Sequence, residues 1–139
     1  MEGPYGAFTK NRATRKHVLL VAGGVGITPV RAIAEEFGDT AKIDLIYRAS
    51  NEKDLVLKDE LDYLAERSGG ALKVHYLVGS RNQHPMSTKS ILKIAPWFAD
   101  SDVYVCGPEG LVDAVRKAAK EAGVPRNRFH DEAFAFHAD

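Results

Sequence analysis

The sequence predicts an α/β domain: a five-stranded parallel, doubly wound sheet with helices on both faces. Three observations carry that expectation. Short apolar runs rich in β-branched residues alternate with amphipathic stretches at the period of βα units. Glycine, proline or serine closes each amphipathic stretch. A glycine-rich turn joins the first run to the first stretch, as strand-to-helix turns in such sheets require.

The first run, residues 17–22, is almost wholly apolar, as a strand buried on both faces should be. Val30, Ile33, Ala34 and Phe37 follow at helical spacing, and Gly38 stops that helix. The second run covers residues 43–47. Leu57, Leu61, Leu64 and Ala65 form the next helical stripe, ended by Ser68-Gly69-Gly70. Residues 72–78 alternate Leu72, Val74, Tyr76 and Val78, which predicts a strand with one less buried face. Ser87 is placed to cap a short third helix through Ile91, Leu92 and Ile94, and Pro96 terminates it. A fourth run spans residues 103–106. Leu111, Val112, Val115, Ala118, Ala119 and Ala122 share one helical face before Gly123 and Pro125. Residues 128–136 supply the fifth strand. Parallel strands joined by right-handed crossovers bind ligands beyond their carboxyl ends. Function is therefore sought in the loops after Ala22, Tyr47, Val78 and Cys106.

Composition narrows the classes further. The chain has 139 residues, enough for one domain with a real core, and 45% of them are hydrophobic. Its formal net charge is zero, so a nucleic-acid or anionic-membrane partner finds no electrostatic footprint. No apolar run approaches the roughly 20 residues of a membrane span, and the first residues do not read as a signal peptide. The single cysteine, Cys106, excludes an internal disulfide and fits a reducing compartment. His17, His75, His84, His130 and His137 show no metal-ligand spacing, so no metal site is expected.

The strongest motif is Gly23-Gly24-Val25-Gly26-Ile27-Thr28-Pro29. Glycines permit positive φ and a bare backbone that can approach a pyrophosphate. The helix that follows offers free N–H groups and a positive dipole end to that anion. Pro29 suits a first helical turn, where its missing N–H costs nothing. On this reading Gly24, Gly26 and Thr28 meet the pyrophosphate, and valine at Gly26 blocks it without disturbing the fold. The motif is neither the standard dinucleotide fingerprint nor a P-loop. Pro29 stands in place of the third glycine, Tyr47-Arg48-Ala49-Ser50 follows the second strand without a carboxylate, and no Gly-Lys-Ser/Thr is present.

This turn resembles the pyrophosphate turn of the NAD(P)-binding domain in the ferredoxin–NADP reductase family. Three further motifs fall in the family's order. Gly3-Pro4-Tyr5-Gly6 is similar to the stretch ending the family's flavin-binding barrel. Cys106-Gly107-Pro108-Glu109-Gly110 resembles the turn beside the nicotinamide, and Asp131-Glu132-Ala133-Phe134 the C-terminal segment whose aromatic covers the flavin. The resemblance spans essentially the whole chain and implies the strand order 3-2-1-4-5. It also implies that residues 1–16 are the exit and linker of a flavin domain absent from this chain, and that residues 17–139 are the NAD(P)-binding domain.

From the resemblance, the catalytic candidates are Cys106, Glu109 and Phe134. Cys106 would lie beside the nicotinamide in a steric role, or simply be a small buried residue. Glu109 would assist near the flavin or favour the start of the fourth helix. Phe134 would stack on the flavin, Phe136 sharing its face. Gly107 and Pro108 would shape the nicotinamide turn. Thr28 would face the nicotinamide amide or cap its helix. Arg48, Ser50, Ser80 and Arg81 are placed for the adenosine half, where an arginine fork suits a 2′-phosphate. Ser80-Arg81 resembles the pair used by NADP-dependent relatives, so NADP(H) is favoured over NAD(H).

The implied function is one half of a flavin-dependent NAD(P)H oxidoreductase. It positions NAD(P)H for hydride transfer to FAD on an N-terminal domain, and electrons pass on to an acceptor such as a heme or iron–sulfur protein. FAD itself is not expected on this chain, and the chain alone is expected to be inactive. The setting would be cytoplasmic, with no membrane contact by this chain. Residues 47–61 and 129–137 look most like relatives attached to ferric-reductase-type membrane segments, which would put the parent on the cytoplasmic face of a membrane. The competing class is a stand-alone nucleotide-binding or regulatory module without redox activity. Gly3-Pro4-Tyr5-Gly6 speaks against it, because such a module has no use for a flavin-domain exit.

Overall fold

The computed structural model describes residues 17–37, 41–80 and 83–134. Gly3-Pro4-Tyr5-Gly6, Gly38, Arg81, Phe136 and His137 fall outside those ranges. Nine principal elements alternate along the chain: β1 (His17–Gly23), α1 (Ile27–Phe37), β2 (Lys42–Ala49), α2 (Lys58–Arg67), β3 (Leu72–Val78), α3 (Thr88–Ile94), β4 (Asp102–Pro108), α4 (Glu109–Ala122) and β5 (Phe129–Phe134). All strand pairs are parallel, in the order β3-β2-β1-β4-β5. The expected architecture and order are both present.

β1 is the central strand, and Val18 to Ala22 are wholly buried. Its alternate residues feed two cores. On one face Val18, Leu20 and Ala22 join Ile43, Leu45 and Tyr47 of β2 beneath Val30, Ile33 and Phe37 of α1 and Leu61 of α2. On the other, Leu19 and Val21 join Val103 and Val105 of β4 beneath Ile91 of α3 and Val112, Val115 and Ala119 of α4. Each fully buried leucine or valine contributes about 1.5–3 kcal/mol relative to exposure. Continuous burial along β1 thus fixes it as the centre of the sheet.

β3 lies at an edge, and after Leu72 its residues are only partly buried or exposed. That is the less buried strand its alternation predicts. β2 and β4 run past the apolar runs that announce them. Arg48 and Ala49 continue β2 by pairing with Leu77 and Val78, and Gly107 and Pro108 continue β4 by pairing with Ala133 and Phe134. A hydrophobic pattern does not register these polar or small residues, although their backbones still pair. β5 starts one residue later than its run, because Arg128 closes a short 3-10 turn.

Helix ends follow local chemistry. The Ser87 hydroxyl accepts the Ser90 N–H at 3.2 Å and caps α3. Gly123 ends α4 with φ of 92°, a left-handed cap that glycine adopts without strain. Among the described residues no helix is long and apolar enough to cross a membrane, and no cluster of metal-ligating side chains occurs.

Candidate nucleotide-binding site

The sheet order reverses at β1: β2 and β3 lie to one side, β4 and β5 to the other. Beyond the carboxyl ends of these strands opens a cleft of about 670 Å³. The four strand-to-helix connections wall it. Gly23, Gly24, Ile27 and Thr28 come from the β1–α1 turn, and Arg48, Ala49 and Ser50 from the end of β2. Gly79 and Ser80 follow β3, and Pro108, Gly110 and Leu111 lie at the β4–α4 junction. Asp54, Val56, Met86 and Ala114 complete the lining.

Residues 24–26 form one 3-10 turn that runs into α1. Gly24 has φ of +60° and nothing within 4 Å of where a β-carbon would sit. Its α-carbon faces open space, as contact with a phosphate requires. The other glycines serve packing. A β-carbon on Gly26 would lie 2.1 Å from the Cys106 carbonyl oxygen, one on Gly23 would lie 2.7 Å from Leu111 Cδ2, and one on Gly107 would lie 3.2 Å from the Gly23 carbonyl oxygen. The expectation that valine at Gly26 leaves the fold intact is therefore corrected. That position presses against the backbone of β4, which cannot yield.

Of the sequence candidates, Gly23, Gly24, Thr28, Arg48, Ser50, Ser80 and Pro108 share this one cleft. Thr28 is exposed at the start of α1, and Pro29 beside it is buried in the first helical turn. Val25 belongs to the 3-10 turn by its backbone. Cys106 does not line the cleft. Its side chain is wholly buried with Ala22 and Tyr104, and its carbonyl braces Gly26. Gly107 is buried behind it, and Glu109 is exposed as the first residue of α4, outside the lining. Phe134 pairs by its backbone with Pro108 at the end of β5, and the described residues stop there. Arg81 lies outside the described residues.

The Arg48 guanidinium is turned onto the loop after β3. Its Nη1 donates to the His84 carbonyl at 2.8 Å, and Nη2 makes a longer contact of 3.5 Å with the Gly79 carbonyl. On the far wall the Tyr47 hydroxyl donates to the Asp54 carbonyl at 3.2 Å, and burial pushes its phenol pKa up. Behind it, the Tyr76 hydroxyl donates to Asp62 at 2.6 Å and anchors α2 to the edge strand. Burial first, then the Asp62 carboxylate, raise the Tyr76 pKa, while that hydrogen bond holds the Asp62 carboxyl below its usual range.

Sequence reasoning missed Asp54, Val56 and Met86, which lie in connecting segments without periodicity. Leu111 was legible only as part of the apolar stripe of α4. The Asn51–Asp54 turn held the one available signal, since such residues favour tight turns at strand ends.

A fold of this topology, with a bare glycine turn entering a helix at its switch point, is that of a phosphate- and nucleotide-binding α/β domain. Residues 20–117 match the family model of the oxidoreductase NAD-binding domain, and the chain belongs to that family. It is similar to NADH-cytochrome b5 reductase 1 of Candida glabrata, 32% identical over 98% of this chain and 53% of the relative. The chain thus spans about half the length of that relative. Among solved structures it is similar to the flavohem-like FAD/NAD binding domain of nitric oxide dioxygenase from Vibrio cholerae. The TM-score is 0.69 at 26% identity, covering 86% of this chain and 51% of that one. The ferredoxin-NADP+ reductase of Plasmodium falciparum shares the fold, with a TM-score of 0.71 at 20% identity over 86% of this chain and 52% of its own. The chain is a ferredoxin–NADP reductase-like, NAD(P)-binding oxidoreductase domain.

Proposed function

We propose that this domain holds NAD(P)H across the cleft and presents its nicotinamide to an FAD carried by an N-terminal domain of the same parent protein. The observation that carries this reading is the open face of Gly24 at the start of α1, at the sheet's switch point. The Gly24 backbone and Thr28 meet the pyrophosphate. Pro108 forms the wall on the nicotinamide side, and Gly107, buried behind it, shapes the turn. Cys106 contributes shape from behind through its carbonyl, and Glu109 at the start of α4 and Phe134 at the end of β5 are the residues that would meet the flavin. When bound, the nicotinamide supplies the hydride and the flavin accepts it. The chain orients one cofactor toward the other. The likeness to cytochrome b5 reductase supports a heme protein as the onward acceptor.

NADPH is the preferred coenzyme on this reading. Ser80 lines the cleft, and Arg81 adjoins it in sequence. A charge-assisted arginine–phosphate bond contributes about 1.5–3 kcal/mol. A second reading, NADH, is favoured by Asp54, an exposed carboxylate lining the same cleft that would repel a 2′-phosphate. The NADH named in the b5 reductase relative also favours it. Amide shift mapping with NADP+ and NAD+ tests the site. The proposal expects shifts at residues 23–28, 48–50 and 79–80, with α2 undisturbed. Shifts spread evenly over the surface, or none, would remove it.

A further inference from the structure

The segment after β3 closes on itself. Gly79, at φ of +134°, leaves room for the Gln83 side chain: a β-carbon there would lie 2.3 Å from Gln83 Oε1. That oxygen accepts the Ser80 N–H at 2.8 Å, and the N–H groups of Gln83 and His84 return to the Ser80 carbonyl at 3.1 and 3.0 Å. The His84 ring sits beneath, its Nε2 donating to the Val78 carbonyl at 2.9 Å. These four hydrogen bonds close the turn weakly, because each has a modest net value.

Arg48 adds a charged contact. From the end of β2 it reaches the His84 carbonyl, at the far end of the segment, and approaches the Gly79 carbonyl at its start. Its backbone is fixed by pairing with Gly23 on one side and Leu77 on the other. The guanidinium is thus tied to an interior strand of the sheet, bonded to the far end of the turn that carries Ser80 into the cleft and in longer contact with its start.

We infer that Arg48 is a positioning residue that sets coenzyme discrimination by holding the Ser80 turn, rather than a direct phosphate ligand. The inference rests on the nucleotide reading above and deepens it. Two guanidinium N–H groups turned onto backbone carbonyls orient Arg48 toward the loop, and a loop held at both ends presents Ser80 in one geometry.

The test is a double-mutant cycle on the full chain with Arg48→Ala and Gln83→Ala, titrated by calorimetry with NADP+ and NAD+. Gln83 secures Ser80 without touching Arg48 in any hydrogen bond described above. If Arg48 acts through the turn, each single change weakens NADP+ about tenfold and NAD+ less than about threefold, and the double mutant is little worse than either. Arg48→Lys should fail to rescue, since one ammonium cannot hold two separated carbonyls. Amide exchange at Gln83 and His84 should quicken in Arg48→Ala while β1 stays protected. Additive losses, or rescue by lysine, would make Arg48 a direct ligand and overturn the inference while leaving the nucleotide site standing. Equal loss for both nucleotides with a lowered melting temperature would also overturn it, as a merely structural role. Failure of the wild type to bind either nucleotide would overturn the nucleotide reading, and this one with it.

Discussion

Gly26 and Cys106 meet backbone to backbone: a β-carbon on Gly26 would lie 2.1 Å from the Cys106 carbonyl oxygen and 3.1 Å from the Gly107 nitrogen. The turn leaving β1 and the turn leaving β4 are thereby joined into one rigid rim. Gly26→Ala should cost about 3 kcal/mol or prevent folding, since neither backbone can retreat. Urea denaturation measures it, and a loss under about 1 kcal/mol would show that the rim can relax.

Cys106 behaves as a core residue in this structure. Its side chain is wholly buried beside Ala22 and Tyr104. Thiol reagents should label it only as fast as the domain opens, and bound nucleotide should slow labelling further. Rapid labelling of the native protein, unaffected by denaturant, would contradict this burial.

Tyr76 and Asp62 give the domain a pH signature. The raised Tyr76 pKa means the phenol ionises more easily in the unfolded chain, so stability present below about pH 10 is lost as pH rises above it. The depressed Asp62 pKa adds stability above about pH 4 that disappears as pH falls through the folded value. Both groups are largely solvent-accessible or only partly buried, so the effect is small. Tyr76→Phe should lower stability by no more than about 1 kcal/mol, return the Asp62 carboxyl toward its ordinary range in an NMR titration, and flatten the alkaline limb. An unchanged Asp62 titration would mean that another group controls it.

Purified alone, the chain should carry no flavin absorbance and show no diaphorase activity with NADPH or NADH. Stoichiometric bound FAD would reverse the assignment of this domain to the nucleotide side.

The sheet was legible because β1 is an unbroken apolar run and β3 alternates, two patterns that fix centre and edge. The helix caps at Ser87 and Gly123 were legible for the same reason: each residue type has a specific local duty. The cleft was legible only in part. Gly24 and Gly26 read alike in sequence, yet one faces open space and the other the β4 backbone, a difference that only tertiary packing creates. Arg48 read as a surface cation near a phosphate. Its reach to the His84 carbonyl spans 36 positions and leaves no local trace. Asp54 escaped because its turn follows β2 by several residues, beyond the window where a ribose-binding carboxylate is normally sought.

The central claim is that the Gly24–Thr28 turn receives the pyrophosphate of a nicotinamide dinucleotide. Calorimetric titration of wild type and Gly24→Asn with NADP+ and NAD+ tests it most directly. Asparagine tolerates the left-handed φ of +60° and projects into space that is open in this structure. The account predicts one nucleotide per chain in the wild type, and at least a tenfold loss (about 1.4 kcal/mol) in Gly24→Asn with a similar melting temperature. Undiminished binding of the preferred nucleotide by a folded Gly24→Asn would contradict the site.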